Sequence, residues 1–203
     1  MNTGKVRVGV LASGSGTNFR SLVESTRMPG HPAEIVVLGS DRKASGAVVR
    51  ARDAGIPSFV ELLREYPDRV AFDKAIAHQL RSYDVDWVCL AGYMKLVGEP
   101  ILKAFPSRIL NVHPSLLPAF PGLNAPQQAL DYGVRVSGCT VHLVNAGTDT
   151  GPIVAQQAVD IQPGDDAHSL HSRIQLVEHE LFPKVLRWAA EGRISPDGRV
   201  DYA

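Results

Sequence analysis

The sequence predicts an α/β fold: a Rossmann-like three-layer sandwich with a mostly parallel central sheet, an antiparallel C-terminal edge and helices on both faces. Three observations carry this. Short apolar runs alternate with helix-like runs through residue 113. WVCLAG (87–92) is apolar throughout, as expected of a strand covered on both faces. Beyond residue 133 two strand-like runs follow one another directly and read as an antiparallel edge.

Taken in order, VRVGVLA (6–12) is β-branched and apolar and ends at Ser13-Gly14, after which residues 17–28 read as a helix. EIVVLGS (34–40) is the second strand, followed by a helix over 44–54 that ends at Gly55. IPSFV (56–60) is a short third strand. Residues 67–83 place Val70, Ala71, Lys74, Ala75, Ala77 and His78 at helical spacing. WVCLAG and RILNVH (108–113) complete a βαβ alternation that implies a parallel sheet. HPSLLPAFPGLNAP, starting at His113, is rich in proline and glycine and reads as a loop with a fixed path. A short helix over 125–132 ends at Gly133. VRVSGCTVHLV (134–144) and IVAQQAVDI (153–161) are the edge strands, joined by NAGTDTGP. Residues 166–190 form a long last helix, with Asp165 or Asp166 as N-cap and Gly192 just past its end. The tail ISPDGRVDYA contains a Pro-Asp-Gly turn signal and reads as a small hairpin.

Composition excludes several classes of function. Lys+Arg and Asp+Glu are equal at 21 each, which argues against a broad basic face for nucleic acid. No stretch approaches the roughly 18 consecutive apolar residues of a membrane span, and the N-terminus has no signal-peptide pattern. Cys89 and Cys139 sit inside apolar strand-like runs and read as buried free thiols. A cytoplasmic protein of one domain, 1–203, fits these features.

Three places could carry chemistry. The first is SGSGTN (13–18), between a strand and a helix. There glycines admit a ligand to the backbone, and free N–H groups with the helix dipole favour an anion. With no lysine and no complete Gly-x-Gly-x-x-Gly, the loop suits a phosphate monoester better than a dinucleotide; the plain alternative is a tight turn with an ordinary cap. Thr17 and Asn18 are placed to cap the helix and to donate to the phosphate. The second place is Asn111-Val112-His113, at the C-terminal end of a strand, where α/β sheets bind ligands. Alternation puts Asn111 and His113 on one side, an amide and an imidazole suited to a carbonyl oxygen that gains negative charge. The third is Asp149, in a loop where aspartate is commonly a turn former. It gains meaning only beside His113, because a carboxylate favours the charged imidazole. His168 and His171 are spaced i, i+3 on the last helix, but no third ligand is evident and no metal is expected.

These sites, in this order, resemble the phosphoribosylglycinamide formyltransferase family, folate-dependent enzymes of purine synthesis. The resemblance runs from Val6 to about Trp188, and LASGSGTN, LAGYMKL, ILNVHPSLLPAFPG, TDTGPI and QLVEHELFP carry it. HPSLLP alone is shared by a wider group of formyl-handling enzymes. The resemblance implies that Ser15, Gly16, Thr17 and Asn18 hold the acceptor's phosphate, and that Glu178, with Gln175 nearby, grips its ribose. It places Arg69, Met94, Lys95, Leu96, Val97 and Asn111 against the folate, with the loop Val144, Asn145, Ala146, Gly147, Thr148 and Asp149 over the pterin. Asn111, His113 and Asp149 match the catalytic trio. The same resemblance divides the domain into a phosphate-binding half of about 1–105, a folate and catalytic half of about 106–190 and a tail of 191–203. Asn124-Ala125-Pro126-Gln127 departs from the family, which often has a histidine or an alanine-rich stretch there. That departure weakens any acceptor contact expected from this loop.

The implied reaction is formyl transfer from 10-formyltetrahydrofolate to the amine of a small phosphorylated acceptor, 5-phosphoribosylglycinamide, without metal, by a monomer or homodimer. The amine is its own nucleophile, and no Gly-x-Ser-x-Gly elbow is present. Rivals are a tRNA formyltransferase, which needs a further C-terminal domain and a basic face, a formyltetrahydrofolate hydrolase, a sugar-nucleotide formyltransferase, and a non-catalytic phosphometabolite-binding module.

Overall fold

A computed structural model describes residues 4–201; residues 1–3 and 202–203, the outer ends of the N-terminal run and of the C-terminal tail, lie outside the described residues. The strands are β1 (Val6–Leu11), β2 (Ala33–Ser40), β3 (Ser58–Val60), β4 (Trp87–Leu90), β5 (Ile109–His113), β6 (Val136–Leu143) and β7 (Ile153–Asp160). The helices are α1 (Thr17–Thr26), α2 (Gly46–Asp53), α3 (Arg69–Ser82), α4 (Glu99–Ala104), α5 (Ala125–Tyr132) and α6 (Ala167–Ala190), with a 3-10 turn at Leu63–Glu65.

The seven strands form one sheet in the order β3-β2-β1-β4-β5-β6-β7. The first five run parallel; β6 pairs antiparallel with β5, and β7 with β6. The predicted fold class is therefore observed. Strand order reverses between β1 and β4, so the loops after these two strands part and leave a crevice at their C-terminal ends.

Alternation along the central strands explains their unbroken apolar runs. Val8, Val10 and Ala12 face one core with Trp87, Cys89 and Ala91, while Leu11, Val88 and Leu90 face the other. The first core is covered by Phe19, Leu22 and Val23 of α1, by Ala47 and Ala51 of α2 and by the apolar stripe of α6. The second is covered by Phe72, Ile76 and Leu80 of α3 and by Ile101 of α4. Both cysteines are free and buried, and burial pushes the Cys139 thiol up to about 12.

Boundaries move inward where a cap claims the first residues. Ser45 accepts from Val48 N–H, so the helix predicted from 44 starts at Gly46. Asp68 accepts from Ala71 N–H and moves a start from 67 to 69. Of the two cap candidates before α6, Asp166 makes the capping box with Ser169, whereas Asp165 pairs with Arg173 at 2.7 Å. The strand predicted to 92 stops at Leu90, because Gly92 turns into positive φ and leads the chain off the sheet. Helix α4 was not predicted; six residues starting beside Pro100 are too few to show a period. The tail folds back as expected, with a bridge between Ile194 and Val200.

The proline-rich loop after β5 has a fixed path because Thr140, wholly buried on β6, organises it. Its hydroxyl donates to Ser115 O at 2.7 Å and accepts from Leu117 N–H at 3.0 Å and from Gln156 Nε2 at 2.9 Å. Thr140→Val keeps the shape but strands those partners. The variant should lose about 2–3 kcal/mol of stability, read as a lowered urea midpoint. An unchanged midpoint contradicts this role for the hydroxyl.

Candidate active site

The crevice holds a cavity of about 670 Å³, lined by the loops after β1, β4 and β5, the β6–β7 loop and one side of α6. The first loop and the third meet the molecule's chemistry in different ways, one through backbone and the other through side chains.

After β1 the chain runs through Ser13, whose N–H donates to Gly92 O at 3.1 Å and whose hydroxyl accepts from Met94 N–H at 2.8 Å. These bonds tie together the two loops that part at the switch point. Gly16 is the N-cap of α1 at φ 77, and a Cβ there would stand 2.6 Å from Ala47 Cα, so only glycine fits. Thr17 and Asn18 were expected to cap this helix, and they do not. No side chain caps α1, so its first N–H groups are left for a ligand beside the positive end of the helix dipole. Asn18 Nδ2 instead donates to Glu178 Oε2 at 2.8 Å, a buried bond between the loop and α6. Burial raises the Glu178 carboxyl, and the Asn18 hydrogen bond opposes that shift only in part. Gln175 lies one turn before Glu178 on the same cavity-facing stripe.

At the other end, Asn111 and His113 leave β5 on one face, and the antiparallel register sets Asn111 opposite His142 of β6. Asp149 reaches in from the β6–β7 loop with φ 54. Its Oδ2 accepts from Gly122 N–H at 2.8 Å and lies 3.3 Å from His113 Nδ1; its Oδ1 lies 3.5 Å from Asn111 Nδ2 and 3.6 Å from His142 Nε2. His113 Nε2 lies 2.9 Å from Phe120 O. Both nitrogens of His113 thus face acceptors, and the ring satisfies both only when each carries a proton. His142 is fixed differently: Nδ1 lies 2.9 Å from Leu143 O, and Nε2 lies 3.0 Å from Asn111 Nδ2. With its proton on Nδ1, the ring accepts from the Asn111 amide and orients it. Burial works against ionisation of Asp149, but the Gly122 N–H and the charge of His113 outweigh it. The carboxyl lies below its ordinary value.

The expected trio is therefore brought together, side chains of His113 and Asp149 being 6% and 12% exposed. Sequence reasoning missed His142, Gly122 N–H and Phe120 O. The histidine had a signal, a polar residue inside the apolar run CTVHLV opposite a strand already singled out. The two backbone groups had none, because they depend on a loop path in which Phe120 itself holds φ 53.

Met94, Lys95, Leu96 and Val97 line the cavity, as does the loop from Val144 to Asp149. Asn145 Oδ1 closes that loop by accepting from Gly147 N–H and the Thr150 hydroxyl. Met94 and Leu96 are 55% and 64% exposed, an apolar wall open to a ligand. Arg69, expected near the folate, is not on the wall. Its Nε donates to Asp73 at 3.1 Å and its guanidinium lies over the Phe72 ring. Asn124, Ala125, Pro126 and Gln127 all line the cavity, although they depart from the expected motif.

A loop of unpaired backbone N–H groups and a buried polar cluster share one crevice of this α/β fold, and residues 6–186 match the formyl transferase family. The chain belongs to that family and, within it, to the phosphoribosylglycinamide formyltransferases. It is 42% identical to the phosphoribosylglycinamide formyltransferase of Bacillus subtilis over 88% of this chain and 91% of that protein. It superposes on glycinamide ribonucleotide transformylase 1 from Symbiobacterium toebii with a TM-score of 0.94 and 50% identity, covering 98% of this chain and 94% of that one. It is also 43% identical to the trifunctional purine biosynthetic protein adenosine-3 of Bos taurus over 97% of this chain, but spans only 20% of that protein's length. Among the described residues no helix is long and apolar enough to cross a membrane.

The depressed Asp149 carboxyl has a consequence for stability. Its folded value lies below the 3.8 of a free aspartate. Its contribution is therefore full above that value and is lost as pH falls through the folded value. The stability difference between wild type and Asp149→Asn, measured by chemical denaturation, should be largest near neutrality and shrink below about pH 4. A difference that grows on acidification contradicts the pairing.

Proposed function

We propose that this chain transfers the formyl group of 10-formyltetrahydrofolate to the amine of 5-phosphoribosylglycinamide, a step of de novo purine synthesis in the cytoplasm. One observation carries the reading: Asn111, His113 and Asp149 converge at one end of a cavity whose other end is a loop of unpaired backbone N–H groups.

The acceptor's phosphate takes the N–H groups of Ser15 to Asn18, and its ribose lies against Glu178 and Gln175. The folate packs on Met94 to Val97, with the loop from Val144 to Asp149 above the pterin. The amine attacks the formyl carbon, and the C=O pair moves onto oxygen. In the cluster, short contacts orient and long contacts remain to be shared. Phe120 O and His142 Nε2 hold the ring and the amide at 2.9 and 3.0 Å. The protons on His113 Nδ1 and Asn111 Nδ2 that face Asp149 at 3.3 and 3.5 Å are loosely held, and the oxyanion takes both. Asp149 orients the imidazole through its contact with Nδ1 and positions a water that carries a proton from the attacking nitrogen to N10. Breaking the C–N10 bond then releases tetrahydrofolate and the formylated amine. No protein nucleophile and no metal take part.

Loss of one such donor costs about a hundredfold in rate. His113→Ala and Asp149→Asn should each lose at least about that factor in kcat in a formyl-transfer assay, with circular dichroism unchanged. Near-normal turnover of either variant rejects the assignment. Gly16→Val puts a side chain against Ala47 and so displaces the loop that holds the phosphate, and should raise the acceptor KM far more than the folate KM. Equal effects on both would place the acceptor elsewhere.

A further inference from the structure

We infer that Arg50, on α2 and outside the cavity, is a positioning residue for the acceptor's phosphate, acting through the carbonyl of Ser15. The inference rests on the acceptor site proposed for the β1–α1 loop.

In a trans peptide the C=O and the N–H point in opposite directions. Gly14 O accepts from Ala47 N–H at 3.2 Å, and Ser15 O accepts from Arg50 Nε at 2.9 Å. Both carbonyls of the loop therefore face α2. The N–H groups on the same two peptide units, those of Ser15 and Gly16, face away from α2, on the side where these residues line the cavity. Neither N–H has a partner among the described residues. Gly46 brings the helix close enough for this: a Cβ there would stand 2.7 Å from Ser15 O and 3.0 Å from Ser15 Cα. The loop itself carries no cationic side chain. Arg50 supplies positive charge from behind, and a charged donor on Ser15 O polarises that peptide toward its N–H side. Ser15 is exposed, so without this contact its peptide is free to turn and present a carbonyl to the phosphate instead.

The test compares wild type, Arg50→Met, Arg50→Lys and Gly46→Ala by calorimetric titration with ribose 5-phosphate and by steady-state KM for each substrate. Arg50→Met should weaken ribose 5-phosphate about tenfold and raise the acceptor KM to match, with the folate KM within about twofold. Arg50→Lys should recover part of the loss. Gly46→Ala, which keeps Arg50 but pushes the Ser15 carbonyl away, should weaken the same ligand and carries the test if Arg50→Met does not fold. Unchanged ribose 5-phosphate binding in folded Arg50→Met, or equal rises in both KM values, overturns the inference. If wild type binds no ribose 5-phosphate at all, the acceptor site falls first and the inference with it.

Discussion

The site depends on a half-buried carboxylate that must stay paired. Removing Asp149 from water is costly unless donors replace the solvent. Two segments supply them, β5 through Asn111 and His113 and the proline-rich loop through Gly122 N–H, while His142 of β6 orients the Asn111 amide. Each segment is placed by a different feature of the fold. β5 is in the parallel sheet, β6 turns back against it in register, and Thr140 pins the loop to β6. A change in any of these features therefore reaches the same carboxylate.

The reversal of strand order between β1 and β4 sets the second constraint. It opens the crevice, and Ser13 keeps its two lips in contact through Gly92 and Met94. Chemistry then divides by position. On the β1 side the ligand meets backbone, because glycines and an uncapped helix leave N–H groups free. On the β5 side it meets side chains whose rotamers are fixed by short hydrogen bonds. In the proposed reaction, a phosphorylated amine that spans the two ends has its anion held by dipoles and its nitrogen delivered to the polarised formyl carbon.

Much of this is legible in the residues themselves. The parallel core shows because its strands are apolar on both faces, and Asn111 with His113 follows from alternation at a strand end. Asp149 does not follow from spacing. Its meeting with His113 depends on a loop conformation with φ 54, and only family resemblance points to it. His142 is easily overlooked because one histidine in an apolar strand reads as a core residue; only the β5–β6 register sets it opposite Asn111. The capping roles expected of Thr17 and Asn18 fail for a physical reason. Gly16 takes the cap position with a left-handed turn, and Asn18 is drawn to a buried carboxylate 160 residues away in sequence. Arg69 is placed near the folate by motif alone, and its pairing with Asp73 one helical turn along turns it from the cavity wall.

The most direct test is to incubate the purified protein with 10-formyltetrahydrofolate and follow tetrahydrofolate release with and without 5-phosphoribosylglycinamide. Release that depends on the acceptor, with one formylated amine formed for each tetrahydrofolate, is the expected result. Release at the same rate without the acceptor would mean that water is the nucleophile and would contradict formyl transfer to the amine.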